Sequence, residues 1–197
     1  MEVSTGPHDD DVAAAQRGDV RAFERLYRSV QPPLLRYLRN LVGEDAPDVA
    51  SETWLQVSRG LGGFRGGGSD FKGWVVTIGR NRAMDHLRGA SRRRTDPVDP
   101  TATPRSTGFD DTFETADESL ATRRALDLIA RLPPDQAEAV LLRVVVGLDA
   151  PAAAKVLGKR AGAVRMATSR GLARLQELVG ENPGVTLLGP PALKDMR

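Results

Sequence analysis

Residues 149–175, DAPAAAKVLGKRAGAVRMATSRGLARL, decide the fold of the C-terminal part of the chain. Asp149 is placed to cap a helix that has a proline in its first turn, and Gly158 is placed to end that helix. The tight turn GKRAG follows, and a second helix is expected from about Gly162. Two short helices at this spacing predict a helix-turn-helix.

The second helix of this motif has an apolar face and a basic face. The apolar face consists of Val164, Thr168, Gly171, Leu175 and Leu178. The polar or exposed positions are Arg165, Met166, Ser169 and Arg170, with Lys159 and Arg160 in the turn before them. Because no acid interrupts these bases before Glu177, we expect the helix to enter the major groove of DNA. A helical corner with no role in DNA binding has the same spacing and is the alternative.

A second informative stretch, GWVVTIGRNRAMDHLRGASRRR at 73–94, begins apolar and ends basic. Its first turns predict a buried helix, and its later turns carry an outward stripe that includes Asn81. Between 71 and 94 the bases are Lys72, Arg80, Arg82, Arg88, Arg92, Arg93 and Arg94, against the single acid Asp85. Arginine is well suited to phosphate contacts, so this excess favours DNA binding over the alternative of a solvated charged face.

The segment GLGGFRGGGSDF, residues 60–71, is rich in glycine. It lacks the Gly-Lys-Ser/Thr that a nucleotide-binding P-loop requires, which argues against that interpretation. Phe64 and Arg65 lie on this loop beside the basic helix, where they can stack on and hold an unpaired base. A plain flexible loop is the alternative.

The helix DVASETWLQVSRG, residues 48–60, is amphipathic. Its polar stripe is formed by Asp48, Glu52, Leu55 and Arg59. A metal pair or an acid–base pair would need a histidine or a third carboxylate on this helix, and residues 48–60 offer neither. The stripe therefore predicts a protein-docking face, with a solvated face as the alternative.

The chain divides into two helical lobes joined by an acidic linker. Residues 95–121 lack apolar periodicity and carry seven acids against one base, which predicts a flexible tether. The expected segments are a disordered N-terminus at 1–10, a first lobe at 11–94, the linker at 95–121, a second lobe at 122–180 and a flexible tail at 181–197. The fold class is all-α.

Several classes of protein are excluded by composition. The 197 residues contain no cysteine and two histidines, so neither a zinc finger nor a thiol nucleophile fits, and we predict no metal and no cofactor. No nucleophile–base set supports an enzyme. The acidic N-terminus has no apolar run, and no later stretch reaches membrane-spanning length, so we expect a cytoplasmic protein without membrane association.

The arrangement of these motifs resembles the extracytoplasmic-function group of bacterial RNA polymerase sigma factors. The segment 48–64 resembles the core-binding part of region 2, 71–88 resembles the minus-10 reading helix, and 147–175 resembles the helix-turn-helix of region 4. The resemblance implies a protein without chemistry of its own that binds core RNA polymerase, delivers it to a promoter and helps to melt the DNA. It also makes an anti-sigma factor a candidate partner.

The resemblance assigns roles to particular residues. The 48–59 stripe falls where the family docks on the polymerase. Phe64 and Arg65 fall in the loop that captures a flipped minus-10 base, with Asn81 on the helix beside it. Arg165, Met166, Ser169 and Arg170 fall where the family reads the minus-35 element. Three rivals are a helix-turn-helix regulator that acts without polymerase, an enzyme, and an adaptor that occupies polymerase without directing initiation.

Overall fold

The computed structural model describes residues 8–95 and 120–180, and every regular element in these two ranges is helical. The helices are α1 (Asp9–Gln16), α2 (Val20–Val42), α3 (Ala46–Gly60), α4 (Gly68–Thr95), α5 (Leu120–Ala130), α6 (Pro134–Val140), α7 (Ala150–Leu157) and α8 (Ala161–Gly180). Short 3₁₀ turns at Gly43–Asp45 and Leu61–Gly63 and a π-helical turn at Leu141–Val145 lie between them. The predicted all-α fold is confirmed.

Parts of three predicted segments lie outside the described residues. These parts are residues 1–7 of the N-terminal segment, 96–119 of the acidic linker and the tail at 181–197. At the margins, α1 begins at Asp9, α4 continues to Thr95 and α5 begins at Leu120. The side chains of Arg93 and Arg94 also belong to the part of the chain that is not described.

The first helix of the helix-turn-helix, α7, begins and ends where the sequence predicts, and α8 begins at Ala161, one residue before the predicted start. The Asp149 carboxylate accepts a hydrogen bond from the backbone N–H of Ala152 at 2.7 Å, which satisfies one of the free donors at the start of α7. Gly158 ends α7 in the left-handed conformation, with φ of 63°, where a side chain would be strained. Both predictions are confirmed.

The first lobe packs α2, α3 and α4 around one core. Leu34 and Leu38 of α2, Val57 of α3 and Val75 and Val76 of α4 have no exposed surface. The apolar start of α4 is therefore the anchor that the sequence predicts, because it lies against both neighbouring helices.

The second lobe packs α6 and α7 against α8. Its core includes Val140, Leu142, Val164 and Leu175, all almost fully buried. The predicted apolar face of α8 is thus turned inward, and the basic face is left for solvent or a partner.

The two lobes contact each other, which the sequence does not predict. Helix α7 packs against α4, and buried residues of both lobes form one continuous core. At this contact, Tyr37 of α2 and Arg80 of α4 both donate hydrogen bonds to the Glu138 carboxylate of α6, at 2.9 and 2.6 Å. The contact joins groups that are far apart in sequence.

Candidate nucleic-acid and protein-docking surfaces

The polar stripe of α3 is on the protein surface. Its members Asp48, Glu52, Leu55 and Arg59 are all exposed, whereas the opposite face of α3 is buried. Leu55 keeps 52% of its surface accessible in the middle of this stripe. An apolar side chain surrounded by charged and polar groups is typical of a protein-docking surface.

A groove runs between α3 and α4 next to this stripe. It is lined by Glu52, Leu55, Gln56, Arg59 and Arg82. The guanidinium Nε of Arg82 donates a hydrogen bond to Gln56 Oε1 at 3.0 Å, so these two side chains form one wall. The sequence-based prediction missed Gln56, although its place one residue after Leu55 on an exposed face was a usable signal.

The basic residues of α4 point in different directions. Consecutive helical residues are about 100° apart, so Arg80, Asn81 and Arg82 lie on three sides of the helix. Arg80 faces Glu138 of the second lobe, Asn81 is exposed, and Arg82 faces Gln56 of α3. The predicted DNA-binding set is thus not one continuous surface.

Farther along α4, the outward stripe is open to solvent. Arg88 and Arg92 are exposed, and Arg88 makes a surface ion pair of 2.7 Å with Asp85. Lys72, at the start of the helix, is half-buried. The part of the predicted basic surface that a DNA strand can reach therefore includes Asn81, Arg88 and Arg92.

The loop between α3 and α4 carries the two residues predicted to hold an unpaired base. The Phe64 ring stacks on Trp74 with 4.9 Å between ring centroids and meets Phe71 edge-on at 5.8 Å. Arg65 is exposed, and its guanidinium donates to the carbonyl of Phe64 at 3.0 Å. Phe64 is therefore seated on the core, with Arg65 beside it at the surface.

The outward face of α8 and the turn before it are exposed to solvent. The six residues predicted for this surface are all exposed: Lys159, Arg160, Arg165, Met166, Ser169 and Arg170. Lys159 forms an ion pair with Asp135 of α6 at 2.7 Å. Met166 keeps 55% of its surface accessible, which is high for a large apolar side chain. This face has the charge and exposure that contact with a DNA groove requires.

The lobe contact contains two residues that the sequence did not single out, Tyr37 and Glu138. Burial raises the pKa of the Tyr37 hydroxyl far above its usual range, and the neighbouring Glu138 carboxylate raises it further. The hydrogen bond from Arg80 to Glu138 raises the pKa of the Arg80 guanidinium. No local pattern marks these residues, since Tyr37 and Glu138 are brought together only by tertiary packing.

Comparison with known proteins identifies the family. Residues 26–93 match the family model of Sigma-70 region 2, and residues 122–175 match that of Sigma-70 region 4. The first match includes the exposed stripes of α3 and α4, and the second includes the exposed face of α8. The chain belongs to the extracytoplasmic-function (ECF) RNA polymerase sigma factors.

Individual relatives support this assignment. The chain is 35% identical over 177 residues to the ECF RNA polymerase sigma factor BldN of Streptomyces coelicolor, covering 87% of this chain and 65% of that relative. It is 34% identical over 172 residues to the ECF RNA polymerase sigma factor SigD of Mycobacterium tuberculosis, covering 84% and 81%. The chain thus spans slightly less than two thirds of BldN and most of SigD.

A solved structure has a similar fold. The sigma factor RpoE from Bartonella quintana, in a co-crystal with the anti-sigma factor NepR, superposes with a TM-score of 0.61 and 25% identity. The match covers 83% of this chain and 99% of that chain.

Two further observations concern residues 8–95 and 120–180 alone. None of their helices has the length and apolar character needed to cross a membrane. In the same ranges, histidine, aspartate and glutamate side chains do not come together in a group of three that could hold a metal ion.

Proposed function

We propose that this chain binds core RNA polymerase and directs promoter-specific initiation by recognising the minus-35 and minus-10 elements and helping to melt the DNA. The observation that carries this proposal is the presence, in one chain and in order, of the two sigma regions. The protein acts by binding and not by covalent chemistry. Its place of action is the cytoplasm, because bacterial polymerase and promoter DNA are found there.

The polymerase-docking surface of this proposal is the α3 stripe. Asp48, Glu52 and Arg59 supply charges, and Leu55 supplies an apolar centre, all of them exposed. Gln56 and Arg82 extend the same surface across the groove. This combination of an apolar centre and a polar rim supports docking on another protein.

The minus-10 surface of this proposal combines the 61–68 loop with the exposed stripe of α4. Arg65 and Asn81 lie where a flipped base is to be held, and Arg88 and Arg92 lie where backbone phosphates are to be neutralised. Arg80 joins this surface only when the lobe contact opens, because its guanidinium pairs with the Glu138 carboxylate while the lobes are in contact.

The minus-35 surface of this proposal is the outward face of α8. Arg170 and Arg165 have guanidinium groups able to make two hydrogen bonds to a guanine edge, and Ser169 and Met166 add a hydroxyl and an apolar contact. Lys159 and Arg160 precede the helix and are suited to phosphates.

An anti-sigma factor is the further partner in this proposal. Support comes from the similar RpoE structure of Bartonella quintana, which is a complex with the anti-sigma factor NepR. A partner of this kind would compete with polymerase or DNA for one or more of the surfaces above.

Charge reversal on α3 tests the docking surface. Asp48→Lys with Glu52→Lys is expected to weaken binding to purified core polymerase by at least about tenfold, because interfacial charges lose their complementarity. The matched control reverses Asp10 and Glu44, two exposed acids elsewhere in the first lobe. Thermal stability of both variants is expected to stay close to wild type, since all four side chains are exposed.

The same measurement distinguishes the proposed function from its main rival. A regulator with a helix-turn-helix that acts without polymerase would bind DNA specifically and show no affinity for the core enzyme. Equal core affinity in wild type, the α3 variant and the control would remove the docking assignment. Absence of core binding by the wild-type chain would remove the proposed function itself.

A further inference from the structure

Helix α1 lies beside the loop that carries Phe64 and Arg65, and it precedes both family-model matches. Two of its side chains bond directly to that loop. The Gln16 amide Nε2 donates to the carbonyls of Leu61 and Phe64, at 3.0 and 2.8 Å. The loop therefore depends on Gln16 for two of its hydrogen bonds.

At the other end of α1, Asp9 contacts the other end of the loop. Its Oδ1 accepts a hydrogen bond from the backbone N–H of Gly68 at 2.5 Å. A Cβ atom added to Gly67 would clash with the same oxygen, so a side chain at position 67 would displace the Asp9 carboxylate. Asp9 and Gln16 thus hold the loop on both sides of Phe64 and Arg65.

The spacing of these two residues explains how one short helix reaches both ends. Asp9 and Gln16 are seven residues apart, which is two helical turns, so they share a face of α1. Val12 lies between them on that face, and only 3% of its surface is accessible. Val12 therefore anchors this face of α1 in the core of the first lobe.

A separate ion pair fixes α1 to α2. The Arg25 guanidinium of α2 bonds to the Asp11 carboxylate through Nε and Nη2, and His8 contacts the same carboxylate at 3.1 Å. The bond from Arg25 lowers the pKa of Asp11. Because α1 is held by its core residue and by this pair, it can serve as a fixed support for the loop.

We propose that Gln16 and Asp9 are positioning residues for capture of the unpaired minus-10 base. By bonding the carbonyls on one side of Arg65 and an N–H on the other, they fix the backbone from which Phe64 and Arg65 project. Their own side chains do not touch the base. This inference rests on the proposed function, since it assigns a support to the same loop.

The test compares base preference in holoenzymes assembled from full-length chains and core polymerase. The probe is the single-stranded DNA that wild-type holoenzyme enriches from a randomised pool, together with its single-base variants. The Arg65→Ala holoenzyme identifies the DNA position that the loop reads, because base preference is expected to be lost at that position. The measured quantity is the ratio of affinities for the preferred base and the three others there.

Gln16→Glu keeps the size of the side chain but removes both donors. We expect it to lower the base-preference ratio at that position by about fivefold or more, because two backbone carbonyls lose their partner. Ala13→Glu, on the exposed side of α1, adds the same charge and is expected to leave the ratio within about twofold. Gln16→Lys, unlike Gln16→Glu, keeps a hydrogen-bond donor at this position, and we expect it to retain most of the wild-type base preference.

A second measurement separates loop positioning from general unfolding. Hydrogen–deuterium exchange in the free full-length chain should become faster over residues 61–68 in Gln16→Glu and stay unchanged in α8. A Gln16→Glu holoenzyme with wild-type preference, or unchanged exchange in the loop, would overturn this inference while leaving the proposed function intact. A wild-type holoenzyme with no base preference at any position would overturn both.

Discussion

The Arg80 guanidinium of α4 and the Glu138 carboxylate of α6 form an ion pair of 2.6 Å that joins the two lobes. Their side chains are only 25% and 16% exposed, so water and salt screen this pair less than a surface pair. A second hydrogen bond runs from Arg80 Nη2 to Glu138 Oε2 at 3.3 Å. The pair neutralises one of the cations predicted to contact promoter DNA.

Removing the charge of Glu138 is expected to weaken the lobe contact. Glu138→Gln loses a charge-assisted bond worth about 1.5–3 kcal/mol, so the population with separated lobes should rise about tenfold or more. The measurement is fluorescence energy transfer between dyes on Ala13→Cys and Ala173→Cys, which label cleanly because the chain has no cysteine.

Asp135→Asn is the matched control, because it removes an acid of the same helix. Asp135 is 77% exposed in its pair with Lys159, so that pair contributes little. Equal energy transfer in the Glu138 variant, the control and wild type would show that the Arg80–Glu138 pair does not hold the lobes together.

The buried Tyr37 hydroxyl predicts a dependence of stability on alkaline pH. Burial raises its pKa well above the value near 10 that it has in the unfolded chain. Below about pH 10 both the folded and the unfolded state keep the Tyr37 proton, so the stabilising contribution of the buried hydroxyl is fully present. Above that pH only the unfolded state releases this proton, and the free energy of unfolding therefore falls. The loss approaches about 1.4 kcal/mol per pH unit until the folded-state pKa is reached.

Urea unfolding from about pH 8 to about pH 11 measures this effect as the difference between wild type and Tyr37→Phe. The phenylalanine variant keeps the ring but has no proton to release. Parallel pH profiles for the two proteins would mean that Tyr37 titrates in the folded state as it does in the unfolded chain.

Local features of the sequence were enough to predict the helix-turn-helix. Asp149 and Gly158 mark the ends of α7 by capping and left-handed geometry, which depend on neighbouring residues alone. The exposed face of α8 follows equally from helical periodicity, because Val164 and Leu175 repeat on the side that becomes buried.

The lobe contact and the division of the α4 bases could not be predicted in this way. Arg80 and Arg82 look like parts of one basic run, but their partners, Glu138 and Gln56, come from different helices. The support that Gln16 gives to the loop is equally invisible, because it bonds backbone carbonyls 45 and 48 residues away. Long-range pairings of this kind leave no periodic trace in the chain.

Close packing of α6 on α8 predicts the effect of a single methyl group. A Cβ at Gly171 would lie 2.7 Å from Val140 Cγ2 and 3.3 Å from the backbone oxygen of Gln136, so the helices must move apart. Gly171→Ala is expected to lower the free energy of unfolding by about 1–3 kcal/mol, although alanine favours a helix by about 1 kcal/mol.

Gly162→Ala provides the comparison within the same helix. Nothing lies within 4 Å of the added Cβ there, so this variant should be as stable as wild type or slightly more stable. Denaturant unfolding measures both. A Gly171→Ala protein as stable as the Gly162→Ala protein would show that α6 and α8 adapt without cost.

The two basic surfaces should differ in what they read. Arg170→Ala on α8 is expected to cost about 1–3 kcal/mol on the cognate minus-35 element and to relax preference at one base position. Replacing Arg93 and Arg94 should weaken binding to all sequences alike and reduce the salt slope by about one per lost contact. Holoenzyme binding to single-base promoter variants at several salt concentrations measures both effects.

Equal losses on every promoter variant for Arg170→Ala would remove this residue from base readout. Met166 and Ser169, exposed on the same face of α8, would then be the candidates for reading the minus-35 element.

Promoter-specific initiation is tested most directly by run-off transcription with purified core polymerase, the full-length chain and a library of genomic templates, followed by mapping of the transcript starts. We expect the chain to produce starts at a small set of positions that share two upstream sequence elements, and core polymerase alone to produce none of these. Starts that are distributed alike with and without the chain would contradict its function as a sigma factor.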